Sequence, residues 1–206
     1  MALEKDFFRQ VMGRFATGVT VVTAKSPKGV AGLTVNTFCS VSLNPPLILV
    51  CVDLNSQTLP YIRESGAYAV NMLTVEQEHL SRCFATPSLE RYERFCGAEY
   101  TEAVTGSPII VGVLAFVDAR VVAEYAGGDH AIFLGEVVAM GTEGQVAFAN
   151  EQDVQHAPIL LAQSNGETIT VDKPPLAYYR GQYRHLTNDY TKPSLAVAYN
   201  EEFERR

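Results

Sequence analysis

Short runs of β-branched and other apolar residues, separated by turn residues, recur along this 206-residue chain and constrain its fold more than any other feature. The runs occupy residues 19–24, 30–42, 47–52, 68–72, 109–116, 119–124 and 131–140, with weaker candidates at 159–161, 168–171 and 195–199. The run 47–52 is continuously apolar, which predicts a strand buried on both faces. Strands and helices do not alternate regularly, so the pattern predicts a mainly β fold, a largely antiparallel barrel with peripheral α-helices.

Short helices are predicted from apolar periodicity and from capping signals. The first is expected to carry a broad apolar stripe and to end before Gly18. The second runs through Arg63 and the third to about Phe84. The signals are Phe7, Val11 and Phe15 for the first helix, Ser56 or Thr58 with Pro60 and Gly66 for the second, and residues 74–77 for the third.

Composition and charge exclude several classes of protein. The chain is 47% hydrophobic and carries a net charge of -7 without a basic run, which argues against a nucleic-acid-binding or membrane-surface protein. The first residues do not resemble a secretory signal and no run of about 20 apolar residues follows, so a cytoplasmic protein is expected. Neither a dinucleotide-binding GxGxxG nor a P-loop is present.

The cysteines and histidines do not show metal-binding spacing. The four cysteines lack a CxxC pair and are predicted to be free thiols, namely Cys39, Cys51, Cys83 and Cys96. His79, His156 and His185 have no acidic or cysteine partner at ligand spacing, so no metal site is predicted.

Two polar clusters are candidates for binding, and each has an ordinary structural explanation. The first, residues 31–42, could hold the edge of a planar heterocycle or could be a strand with hydroxyls facing water. The second, residues 53–58, could bind an anion at a helix start or could simply cap the helix. His130 follows a glycine-rich turn, where it is either functional or structural, and Arg91 is one of three arginines near Phe84 that could add charge to a phosphate site.

Taken in order, these segments resemble the short-chain flavin reductase family, the NAD(P)H:flavin oxidoreductase components of two-component monooxygenases. The resemblance covers residues from about 5 to 186. Its motifs lie at residues 8–23, 32–42, 45–46, 56–58, 70–71, 80–81, 84–85, 128–130, 135–137 and 178–183.

The resemblance implies a flavin reductase-like, FMN-binding fold, a split Greek-key β-barrel over residues 1–186 with a C-terminal extension at 187–206. It also implies a homodimer, with FMN or FAD in a groove and NADH or NADPH as hydride donor. Carried over by position, the flavin-binding residues are Thr34, Val35, Asn36 and Thr37 at the ring edge, Cys51, Val52 and Asp53 at the ring or ribityl chain, Ser56, Gln57 and Thr58 at the phosphate, and Phe84 and Ala85 beside the flavin. The positions near the nicotinamide are His130, predicted to be catalytic, and Tyr178, Tyr179, Arg180 and Gly181.

The function implied is hydride transfer to free flavin, which then leaves to serve a partner flavin-dependent monooxygenase. Three alternatives stay open: an electron carrier that holds its flavin tightly, a split-barrel flavoenzyme acting directly on a metabolite or ferric chelate, and an interaction module without ligand. Residues 144–173 look longer than the minimal family pattern, and this segment could cover the groove or contribute to a dimer.

Overall fold

The computed structural model describes residues 4–142, 145–150, 152 and 173–186. The helices are α1 (Lys5–Met12), α2 (Leu59–Ser65), α3 (Glu78–Ala85) and α4 (Leu89–Arg94), with short 3₁₀ helices at Val75–Gln77 and Phe95–Gly97. The strands are β1 (Thr17–Gly18), β2 (Thr20–Ser26), β3 (Gly29–Val35), β4 (Cys39–Leu43), β5 (Pro46–Asp53), β6 (Ala67–Met72), β7 (Tyr100–Glu102), β8 (Pro108–Ile110), β9 (Ala115–Gly127), β10 (His130–Thr142), β11 (Gln145–Phe148), β12 (Leu176–Tyr179) and β13 (Gln182–His185).

An eight-stranded antiparallel sheet forms the body of the fold. Its strands lie in the order β3-β2-β6-β9-β10-β5-β4, and β11 also pairs with β10. A three-stranded sheet, β1-β12-β13, and the β7-β8 pair complete the strands of the described ranges. The predicted mainly β, antiparallel split barrel with peripheral helices is therefore confirmed.

Two clusters of buried side chains position the site. The first lies on the inner face of the large sheet and includes Val50, Tyr68 and Phe133, all buried. The second joins β2, α3 and β12 and includes Phe84 and Leu176. Because this second cluster fixes α3 and β12 against β2, it holds the elements that surround the candidate site.

Strand β5 is not buried on both faces, as residues 47–52 were expected to be. Ile48, Val50 and Val52 are buried, while the residues between them are only half-buried. The reason is that one face of β5 lies against the core and no helix of the described ranges packs as a layer on the other.

Two of the predicted β-rich segments are each divided between two strands. Residues 30–42 form β3 and β4, which lie at opposite ends of the strand order. Residues 109–116 are divided between β8 and the start of β9. The strand candidates at 159–161, 168–171 and 195–199, and most of the 144–173 segment, lie outside the described residues.

The predicted end signals of α2 and the capping box before α3 are confirmed, while the predicted side-chain cap of α2 does not form. Pro60 lies in the first turn of α2, and Gly66 ends it in the left-handed conformation at φ 65°. Thr58 occupies the N-cap position, but its side chain makes no capping hydrogen bond. Thr74 and Gln77 form the predicted capping box, after which a 3₁₀ turn precedes α3.

Helix α1 is shorter than predicted because it ends at Met12, where Gly13 caps it. None of its residues is buried, although Phe7, Phe8 and Val11 are large and apolar. The predicted stripe therefore lies exposed on this chain.

The prediction of four free thiols is wrong for two of them. Cys83 of α3 and Cys96, which follows α4, form a disulfide with a Cα–Cα distance of 6.0 Å. Cys39 and Cys51 are free. Helix α4 and its flanking turns return the chain to α3, and this return cannot be read from cysteine spacing alone.

Within the described ranges, no helix has the length and apolar character needed to cross a membrane.

Candidate functional site

A cavity of about 210 Å³ lies where the end of β3 meets the hairpin of β12 and β13. Five residues predicted to bind cofactor line it together with two that were not predicted. They are Thr34, Val35, Asn36, Ala85 and Tyr178, with Val19 and Tyr183. We call this the central cavity. The structure thus brings together residues that are more than 140 positions apart in the chain.

Hydrogen bonds hold the walls of the central cavity in place. The Thr34 hydroxyl donates to the Ser81 carbonyl at 2.7 Å, which ties β3 to α3. The Ser81 and Tyr183 hydroxyls are hydrogen-bonded at 2.8 Å. The Tyr183 ring in turn meets the Tyr178 ring edge-on, with centroids 5.5 Å apart. Strand, helix and hairpin therefore form one connected frame.

The rim of the central cavity offers polar groups without an internal partner. Asn36 is exposed, and its carboxamide makes no hydrogen bond to any described residue. Such an amide presents both a donor and an acceptor. The buried hydroxyl of Thr17, which is paired with Tyr178 across β1 and β12, also lacks a described partner, although Thr17 does not line the central cavity. The Asn36 carboxamide fits the polar edge of a planar heterocycle.

A second group of predicted binding residues lies outside the lining of the central cavity and consists of Thr37, Cys51 and Asp53. The Thr37 hydroxyl donates to the Cys51 carbonyl at 2.9 Å and accepts from the Cys51 amide at 3.2 Å. Burial raises the pKa of the Cys51 thiol, which keeps it protonated at neutral pH. Asp53 is exposed at the end of β5 and accepts a hydrogen bond from the Asn55 amide at 2.7 Å.

His130 begins β10 directly opposite Asp53 in the ladder. Its Nδ1 lies 2.7 Å from the Asp129 carboxylate, and this hydrogen bond lowers the pKa of the Asp129 carboxyl. The His130 side chain is 37% exposed, so it is open to a ligand. His130 does not line the central cavity. It lies next to Asp53 on the neighbouring strand.

The segment 56–58 precedes α2, and a buried cation lies behind it. Ser56 accepts a hydrogen bond from the Thr58 amide at 3.3 Å, while Gln57 is exposed. Arg91 is only 8% exposed and donates to the Gly32 carbonyl at 2.9 Å and to the Thr58 hydroxyl at 3.5 Å. Desolvation lowers the pKa of the Arg91 guanidinium. A positive charge therefore lies beneath the predicted phosphate position.

Three of the predicted residues have their side chains in the interior. Val52 and Phe84 are fully buried in the two core clusters, and Thr58 is 1% exposed. Only backbone atoms of Val52 and Phe84 could reach a ligand in this conformation. The assignment of these residues to cofactor binding stays a prediction, and for Val52 and Phe84 it concerns backbone atoms only.

The last predicted residues lie at the tip of the β12–β13 hairpin. Tyr179, Arg180 and Gly181 do not line the central cavity. The Arg180 guanidinium lies over the Tyr179 ring, 5.4 Å from its centroid. Arg180 and Gly181 line a different cavity beside α1.

Sequence reasoning left Val19, Ser81, Tyr183 and the buried role of Arg91 out of the candidate site. A signal existed for Tyr183, because a two-residue turn at 180–181 pairs it directly with Tyr178. No comparable local signal exists for Arg91, since its partners are 33 and 59 residues away. Among the described residues, no group of three His, Cys, Asp or Glu side chains could hold a metal ion.

Comparisons with known proteins identify relatives of this chain. The reductase subunit HsaB of a flavin-dependent monooxygenase from Mycobacterium tuberculosis is 32% identical over 187 residues, covering 91% of this chain and 85% of the relative. An FMN reductase (NADH), SmoA, from Agrobacterium fabrum is 40% identical over 131 residues, covering 64% and 73%. The NADH:FAD oxidoreductase SgcE6 of Streptomyces globisporus C-1027, solved with NAD and FAD fragments, superposes with a TM-score of 0.70 at 28% identity, covering 91% and 95%.

A family profile for the flavin reductase like domain matches residues 12–187, which is most of the chain and contains every element that surrounds the central cavity. The chain therefore belongs to the flavin reductase like domain family.

Proposed function

We propose that this protein is an NAD(P)H:flavin oxidoreductase that reduces a flavin and releases it to a separate monooxygenase. The observation that carries the proposal is the central cavity. Its lining brings together the end of β3, the free Asn36 carboxamide and two tyrosine rings. Family membership and the names of the relatives support the same activity.

In this proposal the flavin ring lies against the end of β3, and its phosphate lies toward residues 56–58. Thr34, Val35, Asn36 and Thr37 border the ring, and Cys51 to Asp53 border the ring or ribityl chain. The half-buried Ser56 and the exposed Gln57 meet the phosphate, and the buried Arg91 charge behind them offsets part of its desolvation cost.

Bound flavin would supply the reactive group, because its ring accepts a hydride from the nicotinamide carbon. The chain itself then has to orient the two rings, exclude water from between them and donate hydrogen bonds where negative charge grows. Asn36 and the backbone at the end of β3 serve as those donors. Hydride transfer between the two rings needs no acid–base pair from the protein.

A turnover assay tests the activity. Purified protein is mixed with NADH or NADPH, with and without FMN, FAD or riboflavin, and the nicotinamide and flavin absorption bands are followed. Nicotinamide oxidation that depends on added flavin is expected. A single reduction of co-purified flavin without turnover indicates a tight electron carrier, and no change with any pair of compounds contradicts the proposal.

His130 is proposed to orient or shield the nicotinamide. The expected result for His130→Ala is a several-fold rise in the KM for NADH with a lower kcat, whereas the exposed control His79→Ala should match the parent. Unchanged NADH kinetics in His130→Ala would rule out this role.

Release of reduced flavin is the step that links this protein to a monooxygenase. After anaerobic reduction, ultrafiltration should recover most of the reduced flavin in the filtrate. Retention of flavin on the protein would favour the carrier or the direct flavoenzyme. The HsaB relative, named as a reductase subunit, supports a monooxygenase partner.

We also propose that the protein is a homodimer. Exposed apolar side chains cover α1, where Phe7, Phe8 and Val11 are 51% to 60% exposed, and Leu43 on the edge strand β4 is 96% exposed. Light scattering should give twice the chain mass, and Phe8→Glu with Val11→Lys should shift it toward one chain. The control Tyr125→Thr replaces an exposed ring on β9.

The domain limits and the location are proposals too. Residues 1–186 would form the flavin-binding domain and 187–206 an extension, and a deletion of 187–206 that keeps full turnover would support that division. The need for NADH or NADPH favours the cytoplasm, where a disulfide such as Cys83–Cys96 is unusual. Alkylation of thiols in intact cells before extraction would show whether the pair is reduced there.

A further inference from the structure

A second cavity, of about 390 Å³, lies between the end of α1 and the tip of the β12–β13 hairpin. It is lined by Arg9, Arg14 and Arg180, together with Gln10, Gly13 and Gly181. We call this the arginine pocket. Three arginines line this one cavity in a chain whose net charge is -7, so the local charge is opposite to that of the whole molecule.

The backbone holds Arg180 at this position against its conformational preference. Its φ is 53°, in the left-handed region that non-glycine residues rarely adopt. Its amide donates to the Gly13 carbonyl at 2.8 Å, which fixes the hairpin tip against the end of α1. Glycine would be less strained at this turn position, so the guanidinium side chain is the feature that arginine adds.

The positive charges of the pocket are poorly neutralised. The Arg14 guanidinium has no ion pair or hydrogen bond with a described residue. Arg180 lies over the Tyr179 ring. Arg9 has an ion pair with Asp6 at 3.3 Å, but both side chains are more than 75% exposed, where such pairs contribute little. An anion entering the pocket would meet three donors and little competition.

The arginine pocket is connected to the central cavity by one continuous stretch of chain. Thr20 pairs with Val35 at the central cavity, Thr17 pairs with Tyr178, and Gly13 bonds to Arg180 at the pocket. The proposed flavin phosphate position lies the other way, because Arg91 links Thr58 to Gly32, in the middle of β3 and away from its Val35 end. The pocket therefore lies on the side of the central cavity away from the proposed flavin phosphate position.

We propose that the arginine pocket binds phosphate on the adenosine half of the pyridine nucleotide. The proposal rests on the oxidoreductase function proposed above and names a subsite for its hydride donor. Guanidinium groups bind phosphate oxygens through paired, charge-assisted hydrogen bonds. Two phosphates have this chemistry: the diphosphate shared by NADH and NADPH, and the 2′-phosphate of NADPH alone.

Steady-state kinetics of Arg14→Gln and Arg180→Gly test the subsite. Arg180→Gly keeps the left-handed turn, so an effect would come from the lost guanidinium. Each variant should raise the KM for the pyridine nucleotide about tenfold, with a much smaller change in kcat and in the KM for FMN. The control Arg120→Gln removes an exposed arginine of β9 that lines neither cavity.

The two phosphate sources give different patterns. Equal effects on NADH and NADPH assign the diphosphate, and an effect on NADPH alone assigns the 2′-phosphate. If both variants behave like Arg120→Gln, the proposal is wrong. It is also wrong if the KM rises for FAD but not for either pyridine nucleotide, because the pocket would then serve the flavin's adenosine half.

A binding measurement separates failure of the subsite from failure of the proposed function. Calorimetric titration with adenosine 5′-diphosphate and with adenosine 2′,5′-bisphosphate needs no hydride transfer. Binding by the parent that is lost in Arg14→Gln supports the pocket even if no flavin is reduced. Flavin reduction by a parent that binds neither probe, with unchanged nucleotide KM in the variants, overturns the pocket alone.

Discussion

The Cys83–Cys96 disulfide should contribute measurably to stability, and replacing both cysteines by serine tests this. The bond links residues 13 positions apart. Closing a loop of that length restricts the unfolded chain and is worth about 3 kcal/mol in the chain-entropy treatment. The native structure favours this full value, because the linked segments also pack through Phe84 and Phe95, whose ring centroids are 5.0 Å apart.

The same change should reach the central cavity. The closed loop contains α4, whose Arg91 holds the Gly32 carbonyl, and it begins next to Ala85 at the cavity wall. Without the disulfide, the loop holds Arg91 and Ala85 less firmly, although both residues are still present. We therefore expect the KM for FMN to rise about threefold to tenfold in Cys83→Ser/Cys96→Ser, a change of about 1 kcal/mol in binding.

Urea unfolding at one fixed protein concentration measures the stability effect, since a dimer's stability depends on concentration. The double variant and the parent treated with a phosphine reductant should both lose about 3 kcal/mol relative to the oxidised parent. Cys39→Ser, which replaces an exposed free cysteine, is the control. A loss below about 1 kcal/mol, or four titratable thiols in the unreduced unfolded parent, would refute the reasoning.

Three further changes probe other parts of the frame. Gly32→Ala places a Cβ 2.8 Å from the buried Phe84 ring and should lower the free energy of unfolding by about 1–3 kcal/mol, measured by urea unfolding. Burial raises the pKa of Asp118 above 3.8. The folded chain therefore holds that proton to higher pH, so parental stability should decline relative to Asp118→Asn as pH rises through the raised pKa and then level off; parallel curves would contradict this. Arg91→Met should cost about 2 kcal/mol and raise the KM for FMN, while an unchanged KM would exclude a role for the buried charge.

Local signals in the sequence predicted the parts of the fold that depend on neighbouring residues. Pro60 and Gly66 marked the ends of α2, and Thr74 with Gln77 marked the turn before α3. These signals work because caps and left-handed ends involve backbone groups within a few residues. The length of α1 was predicted less well, because none of its apolar residues is buried, so the apolar pattern does not mark where the helix ends.

Distant contacts account for the features that local signals did not predict. The return of Cys96 to Cys83 depends on α4 and the left-handed Phe95 and Cys96, and no spacing rule fixes such a path. The division of residues 30–42 into two strands depends on which partners β3 and β4 find, β2 and β5 respectively. In both cases local signals indicate the element but do not identify the distant segment that it contacts.

Strand alternation limits which of the predicted site residues can contact a ligand through their side chains. Successive side chains of a strand point to opposite faces, so Cys51, Val52 and Asp53 cannot all present side chains to one ligand. The structure follows this rule, with Val52 in the core and its two neighbours on the other face. A residue-by-residue transfer of family positions therefore identifies the segment, while the period of two identifies which side chains are available.

Charge placement explains how an acidic protein can take anionic nucleotides and still let them go. The net charge of -7 repels them at long range and weakens binding overall. The local positive charges lie in two places on either side of the central cavity. One is Arg91, behind residues 56–58, and the other is the arginine pocket, beyond Tyr178. Electrostatic attraction therefore acts only over the last few ångströms, after a ligand has entered the central cavity or the arginine pocket. Since that short-range attraction opposes the repulsion of the whole chain, added salt should lower the KM for nucleotides at first, by screening the long-range repulsion before it weakens the close contacts.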